Sequence, residues 1–505
     1  MRKILYSSFV LGAILLASCS KDFTENDLNS KFSDEQMAAL AAFPESALIL
    51  NNGLENGGLN IMFKSGVAEV GQHEDFGQKA VDIAVDAMSN DVAYANMNWF
   101  SYQYNYTDRL ESNNTATIYN YYNKLAHNAN QVIQSLVRTN GADYKSSEMY
   151  GRVLALRAFA NLNLIRLYEY NGDGISLETV NEKGEFVYQY NRVKASEVNK
   201  FIEEDLTTAY KLLEKYNRPN INFIDKTVVA GLLSRFYLYT EKFDLAKEYS
   251  AKALKGELQA NSYAVVNNGN FSAITNADWM WASDINGSNT GTYASYFSHM
   301  DAFNVGYGKV GNTTKSIDRR LYDEMNATDV RKVEWFADGV KVYTSPKWGK
   351  DEDGKPVTKV IPRYVNTKFV DPTMFLGDYC YMRKTEMVFN YIEASIKLGD
   401  ESGAKTMLAQ YMSSRDKSYD INTRLSKHKL FEEFQIQKRI ELWGEGFGLL
   451  DMKRWNVSLH RKYEGTNHIV NGQINIDVPS AQFTLQFPQD ERNANPLLAP
   501  QNPIK

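Results

Sequence analysis

Thr227-Val-Val-Ala-Gly-Leu-Leu-Ser-Arg-Phe-Tyr-Leu-Tyr239, then Thr240-Glu-Lys-Phe243, then Asp244-Leu-Ala-Lys-Glu-Tyr-Ser-Ala-Lys-Ala-Leu-Lys255, is a helix, a short turn and a second helix running back. Apolar residues recur at spacings of three and four in both halves, which is the period of an amphipathic helix. Ser234, Ala246 and Ala253 are small. Small side chains where two helices face each other let their backbones approach and their larger neighbours interdigitate.

Leu233-Ser234-x-x-Tyr237, then Ala246, then Ala253, follows the spacing of a tetratricopeptide repeat. The 34-residue period is not clean elsewhere, so the helices are repeat-like rather than a regular array. Upstream the same pattern continues. Ser33-Asp34-Glu35 is a plausible first helix start. Asn113 to Val137 carries Tyr119, Tyr122, Ala126, Ala129 and Ile133 on one face. Ser147 to Tyr168 has one stripe of Val153, Leu156, Ala160, Leu164 and Leu167, widened by Leu154, Ala158, Leu162 and Ile165. So wide a stripe predicts burial against two neighbours. Ser196 to Tyr216 repeats the pattern through Val198, Ile202, Leu206, Ala209 and Leu213.

Downstream the character changes. Over 257–375 Asn, Gly, Ser and Thr cluster and helical periodicity fades, while Trp279, Trp281, Tyr293, Tyr296, Phe297, Phe303 and Tyr307 appear. Asp351-Glu352-Asp353-Gly354, between short β-like runs in Lys341 to Lys368, predicts a hairpin. Helices return at Arg383 to Leu398, Glu401 to Ser413 and Lys429 to Trp443, before a polar, Pro-rich tail. The expected fold is mainly α, with tetratricopeptide-like helix pairs and a loop-rich half containing small β elements.

The N-terminus carries an address. Arg2 and Lys3 precede a short apolar run, Ile4 to Leu16, and Leu16-Ala17-Ser18-Cys19 closes it. The run suits a signal peptide and is too short to span a bilayer comfortably. The expectation is a lipoprotein signal over 1–18, lipidation of Cys19 and a polar tether over 19–32. Several acyl chains, at about 0.8 kcal/mol per buried methylene, make a stable anchor. An ordinary secretory peptide with a chance cysteine is disfavoured, because the chain has only two cysteines and one falls here. Ser20-Lys21-Asp22 resembles the surface-export signal of some Gram-negative lipoproteins; the competing reading is a solvated linker.

The bulk numbers exclude several classes. A net charge of −5 with mixed signs leaves no basic footprint for nucleic acid. With Cys19 lipidated, Cys380 has no partner for an intramolecular disulfide, and between Tyr379 and Tyr381 it reads as a small buried hydrophobe. Gly306-Tyr-Gly308-Lys-Val-Gly311 fits a dinucleotide fingerprint on paper but lacks the preceding strand, so a flexible loop is expected. The six histidines form no i, i+3 or i, i+4 pair for a metal, Asp351 to Gly354 lacks calcium-loop spacing, and no nucleophile elbow or phosphate loop occurs. Glu441 and Glu445 lie one helical turn apart, a poor geometry for a glycosidase pair; pairing with Arg439, Lys453 or Arg454 is expected instead. No enzyme and no cofactor is expected.

Phe100, Tyr102, Tyr104 and Tyr106 alternate with Trp99, Ser101, Gln103 and Asn105. In an extended chain these sets line opposite faces. Flat aromatic faces stack on the C–H faces of sugar rings while Asn, Gln and Asp satisfy the hydroxyls, so this segment is either a carbohydrate contact or a packed loop.

Gln437-Lys-Arg-Ile-Glu441-Leu-Trp-Gly444-Glu445-Gly446-Phe-Gly-Leu-Leu-Asp451-Met-Lys453-Arg454-Trp455 resembles the C-terminal signature of the SusD/RagB family of outer-membrane nutrient-binding lipoproteins. It departs at Gln437, where Glu is usual, and at Gly448, where a large or basic residue is usual. Ala155-Leu-Arg157-Ala-Phe-Ala160 with Arg166-Leu-Tyr168, Glu204-Asp205-Leu206, Leu232 to Tyr239, Glu386 to Leu398, and Phe487-Pro488 with Asn495-Pro496 agree in order. The resemblance implies a single domain over 33–505, with repeat-like helices over 33–256, a ligand-contact region over 257–375 and C-terminal helices and tail over 376–505. It implies a non-catalytic cell-surface protein that captures oligosaccharides, or peptides in some members, for a SusC-like TonB-dependent transporter. By region and residue type, not by motif, it points to Trp99, Tyr102, Trp279, Trp281, Tyr293 and Tyr296 as ligand contacts.

Overall fold

The computed structural model describes residues 43–64, 66, 72–107, 113–258 and 271–504. The leader, Cys19, the tether and the helix start at Ser33 lie outside the described residues. In chain order the first half contains α1 (Pro44–Ile61), α2 (Gln78–Ala87), β1 (Val92–Tyr94), α3 (Ser101–Tyr104), α4 (Asn113–Asn140) and α5 (Glu148–Tyr168). A hairpin of β2 (Leu177–Val180) and β3 (Phe186–Gln189) precedes α6 (Ala195–Leu212), α7 (Lys226–Tyr239) and α8 (Phe243–Ala253).

The other predicted helices are there, and their sequences explain their ends. Ser147 caps α5, its side chain accepting from Tyr150 N at 3.1 Å, and Asp225 caps α7 by accepting from Thr227 N and Val228 N, each at 3.0 Å. Such caps satisfy amides that the first turn leaves without partners. α1 packs on α4, α4 on α5, α5 on α6, α6 on α7 and α7 on α8. The wide stripe of α5 is buried as its width predicts, with Ala155, Ala158 and Ala160 fully inside. Between α7 and α8, the Ser234 and Ser250 hydroxyls bond at 2.8 Å, beside fully buried Ala246. Arg157 of α5 donates to both oxygens of Asp205 on α6, at 2.8 and 2.7 Å, and to Asn130 Oδ1 on α4 at 2.8 Å. One buried guanidinium thereby ties three consecutive helices.

The middle of the chain holds β4 (Trp279–Ser283), α9 (Tyr296–Met300), β5 (Lys315–Ile317), α10 (Arg319–Asp323), α11 (Val330–Glu334), β6 (Val342–Thr344), β7 (Thr358–Val360) and β8 (Tyr379–Arg383). Its sheets are two-stranded and antiparallel: β1 with β5, β4 with β8, and the expected β6–β7 hairpin. A small separate core of Ala302, Phe303, Ala337, Ile361 and Val365 supports that hairpin. The chain then resumes with α12 (Lys384–Lys397), α13 (Glu401–Ser413), α14 (Ile421–Leu425), α15 (Leu430–Glu441) and α16 (Gly448–Trp455). α12 packs directly on α8 and α7, so the helical stack is continuous in space although interrupted in sequence. Arg235 of α7 and Glu386 of α12 clamp this seam with two bonds, at 2.5 and 2.6 Å.

The signature stretch joins the two halves. Gly444 and Gly446 have φ of +79° and +87°, backbone that favours glycine. A Cβ on Gly446 would collide with Asp82, and one on Gly448 with Ser89, so both let the turn lie against α2. Asp86 of α2 accepts from Gly446 N and Gly448 N, each at 2.8 Å. The departure from a large residue at 448 is thus matched by close packing on Ser89. Gln437 uses both halves of its amide: it accepts from Arg331 at 2.6 Å and donates to Glu433 at 2.7 Å.

The glutamates pair with basic groups, but not with the expected ones. Glu441 accepts from Arg415 at 3.0 Å on each oxygen, from Arg383 at 3.3 Å and from Arg331 at 3.5 Å. Glu445 accepts from Arg383 at 2.7 Å and Lys368 at 2.6 Å. Arg439 instead bonds Asp91, Arg454 bonds Glu393 and Asp451, and Lys453 donates to Arg166 O. The glycine turn redirects the chain after Glu441, carrying Lys453 and Arg454 away from it on α16.

Candidate ligand-binding site

Trp99 to Tyr106 is not extended, so its two aromatic and polar sets do not line opposite faces of a strand. After β1 the chain loops through Asn96 to Trp99, Phe100 takes φ +67°, and Ser101–Tyr104 makes one helical turn. With helical spacing, Phe100 and Tyr104 share a face and are buried, while Tyr102 points the other way and is 55% exposed. Trp99 is half-buried, its Nε1 inside without a hydrogen-bond partner.

Trp99 does not stand alone. His73 sits 5.7 Å from it, centroid to centroid, with planes at 43°. His73 also meets Tyr293 at 6.2 Å and Tyr307 at 5.7 Å. Tyr307 is edge-on to Trp99 at 6.0 Å and to Tyr293 at 6.1 Å, and Tyr293 rests on Phe375 at 5.5 Å. His73 Nδ1 and the Tyr307 hydroxyl are 2.5 Å apart. The result is a continuous cluster of rings from five places in the chain. Tyr293 is 43% exposed, Trp99, His73 and Tyr307 are half-buried, and Phe375 lies beneath.

A buried layer holds these rings up. His299 stacks on Tyr307 at 4.9 Å and on Phe76 at 5.4 Å, and its Nε2–H donates to His73 O at 2.9 Å. Burial, then the neighbouring Lys315, hold His299 well below the usual histidine range, so it is a neutral ring carrying its proton on Nε2. Lys315 donates to His299 O at 2.9 Å and to Thr313 O at 3.2 Å, and burial pushes its ammonium down to about 7.

His73, Tyr307 and Phe375 are not among the ligand contacts that the sequence points to, though Tyr307 is one of the aromatics of its loop-rich half. A signal existed for Tyr307. A Cβ on Gly306 would strike Ser298, and one on Gly308 would strike His299 O. The Gly-x-Gly pair read as a flexible loop is a packed strap that seats Tyr307 against α9, with Gly308 N donating to Ser298 O at 2.7 Å.

Of the six expected contacts, the structure brings Trp99 and Tyr293 together and leaves Tyr102 exposed on the neighbouring turn. Trp281, Trp279 and Tyr296 lie in the core. Trp281 is edge-on to Phe159 at 5.2 Å and Tyr381 at 5.3 Å, with Nε1 donating to Asn222 O at 2.9 Å. Tyr296 donates to Gly444 O at 2.7 Å under the Lys79 ammonium. β4 pairs with β8 and turns both tryptophans inward, so these three rings carry packing rather than a surface.

Burial raises the Glu441 carboxyl, but Arg415, Arg383 and Arg331 overcome it and hold Glu441 well below the usual carboxylate range. A group so held is no proton donor at neutral pH. Burial pushes the Cys380 thiol up, and its Sγ faces Met382 O. Among the described residues no group of three or more His, Cys, Asp or Glu is placed to hold a metal ion, and no helix is long and apolar enough to cross a membrane.

Residues 256–504 match the SusD family, and residues 58–238 match a SusD-like family described as starch-binding and associating with the outer membrane. The chain belongs to the SusD/RagB family. Solved SusD-family structures share its fold. A SusD-like carbohydrate-binding protein from Bacteroides vulgatus is 23% identical, with a TM-score of 0.72 over 89% of this chain and 96% of that one. A SusD superfamily protein from Bacteroides thetaiotaomicron is 19% identical, with 0.70 over 91% and 99%. One from Parabacteroides distasonis is 16% identical, with 0.68 over 94% and 99%. No curated protein matches the chain. The mainly α architecture is therefore that of the SusD fold.

Proposed function

We propose that this SusD-family chain captures an oligosaccharide on the Trp99–Tyr293–Tyr307 cluster and delivers it to a SusC-like TonB-dependent transporter, tethered to the outer membrane through lipid on Cys19. One observation carries the reading: half-open rings from four segments form one cluster, braced from below by His299 and Phe375. Their planes are tilted against one another, at 79° between Trp99 and Tyr307 and 62° between Tyr293 and Tyr307. A tilted set offers successive sugar rings separate stacking faces along a bent chain. A braced platform loses little entropy on binding. Exposed Tyr102 supplies a further ring at the margin. The carbohydrate-binding relative from Bacteroides vulgatus and the starch-binding description of the 58–238 match support the ligand class. Catalysis has no part in this reading, since Glu441 and Glu445 are committed to arginine and lysine.

Isothermal titration of the chain from Ser20 onward against soluble polysaccharides is expected to give saturable binding to at least one. Binding to oligopeptides with none to any glycan overturns the ligand class and leaves the peptide-binding alternative standing. In cells, Cys19→Ala is expected to move the protein from the membrane to the soluble fraction while the purified chain binds as before. Membrane retention of that variant would remove the lipid anchor from the proposal.

A further inference from the structure

Four of the five places that meet in the ring cluster share a property that packing does not require: they carry no formal charge. No Asp, Glu, Lys or Arg occurs from Val92 to Thr107, around Trp99, or from Ile285 to Met300, around Tyr293, although 23% of the chain is charged. None occurs from Ala302 to Gly308, around Tyr307, or from Pro372 to Gly377, around Phe375. Burial does not account for this. Asn96, Asn286, Ser288 and Thr292 are exposed, and Asn98 and Ser101 are half-buried. Positions open to water are ordinarily where Lys, Glu, Arg and Asp collect. The charge-free loop at 285–300 is fastened to the cluster as well, since Thr290 Oγ1 donates to Phe375 O at 2.7 Å.

The fifth place adds carboxylates rather than cations. Glu74, buried, and Asp75, half-buried, directly follow His73. In the layer beneath the rings, Lys315 is buried and donates to His299 O and Thr313 O. Lys309, exposed, is the one basic residue within two positions of a ring of the cluster. A carboxylate, sulfate or phosphate on a ligand is ordinarily met by the forked donors of arginine or by lysine. Set among amides and hydroxyls beside two acids, such a group loses hydration and gains no counter-charge. Neutral sugar hydroxyls both donate and accept, and Asn, Ser and Thr side chains match them in both roles.

We propose that the ligand of the ring cluster is an uncharged glycan, one without uronate, sialate, sulfate or phosphate groups. This rests on the glycan reading of the cluster and narrows it. The aromatic faces take the C–H faces of the sugars, and the Asn, Ser and Thr side chains take their hydroxyls. Glu74 and Asp75, with the net charge of −5, act against polyanions. Capture is then insensitive to salt, because no attraction between opposite charges contributes to it.

Isothermal titration of the chain from Ser20 onward tests it against two sets of soluble polysaccharides. One set is neutral: glucans, mannans, galactans and arabinoxylans. The other is acidic: polygalacturonate, hyaluronan and chondroitin sulfate. Saturable binding confined to the neutral set is expected, with a Kd that changes by less than about twofold between about 0.05 and 0.5 M NaCl. Lys309→Gln is expected to keep that Kd within about twofold, as an exposed charge that meets no anion. Binding to an acidic chain as tight as to any neutral one, a Kd that rises about tenfold or more with salt, or loss of binding in Lys309→Gln overturns the uncharged class. If that acidic binding is itself lost in Trp99→Ala, the cluster remains a glycan site and only the class of glycan changes. If neither set binds, or if Trp99→Ala and Tyr293→Ala bind as the wild type does, the glycan reading of the cluster falls and this inference falls with it.

Discussion

Glu441→Gln is expected to lower the free energy of unfolding by about 3–5 kcal/mol, the cost of removing one partner from a buried ion pair. Glu441 is fully buried and is shared by three arginines that are themselves buried: Arg331, Arg383 and Arg415. An amide keeps the shape but offers one acceptor and two donors to guanidinium groups that only donate. One arginine contact becomes a donor facing donors, and the network keeps its positive charges with one anion fewer. The effect has a pH signature. Arg415, Arg383 and Arg331 outweigh burial and depress the folded-state carboxyl. Its contribution is therefore complete above the unfolded value of about 4.3 and fades as pH falls toward the depressed folded one. Urea unfolding at pH 7 and pH 4 is expected to separate wild type and variant widely at pH 7 and less at pH 4. Equal stabilities at pH 7 would show that the network does not hold the signature turn.

Trp99→Ala and Tyr293→Ala are each expected to weaken glycan binding by about 2 kcal/mol, roughly thirtyfold in Kd, with little change in unfolding temperature. Both rings are partly open, so truncation removes contact area for a ligand more than packing for the core. Trp281→Ala is the control with the opposite pattern. It empties a fully buried site against Phe159 and Tyr381, at a cost of about 3–5 kcal/mol in stability, while the folded protein keeps its affinity. Titration and thermal unfolding of the three variants read both quantities. Unchanged affinity in Trp99→Ala and Tyr293→Ala would move the ligand away from this cluster.

The contrast between Trp281 and Tyr293 shows where reading a sequence stops. Both are aromatic, and both stand in the Asn- and Gly-rich middle of the chain. Trp281 is inside because β4 pairs with β8, a partner far along the chain that no local pattern names. Tyr293 is outside because it sits in a loop seated on Phe375. The helices were legible because their information is local: the Ser147 cap, the stripe of α5 and the small residues of α7 and α8 lie within a few turns of one another. The β6–β7 hairpin was legible for the same reason. At Trp99–Tyr106 alternating residue types would also fit an extended chain, whereas left-handed backbone at Phe100 starts a helical turn. His73 and Tyr307 needed tertiary knowledge, although the glycines flanking Tyr307 marked a close backbone approach. Acid–base pairing in the signature was foreseen, but its partners depend on a turn at Gly444 and Gly446 that aims α16 elsewhere.

The seam between α8 and α12 sets an order of events. The two helices are neighbours in the stack, yet residues 254–383 must be made before α12 exists to meet α8. Until then the apolar face of α8 that α12 will cover is open. Closing so long a loop costs entropy before its contacts return any, which makes this a late step in folding. The same arrangement makes the loop-rich half a cassette. Its two ends are fixed by adjoining helices that already fit each other, so the loops carrying Tyr293, Tyr307 and Phe375 can change without redrawing the scaffold.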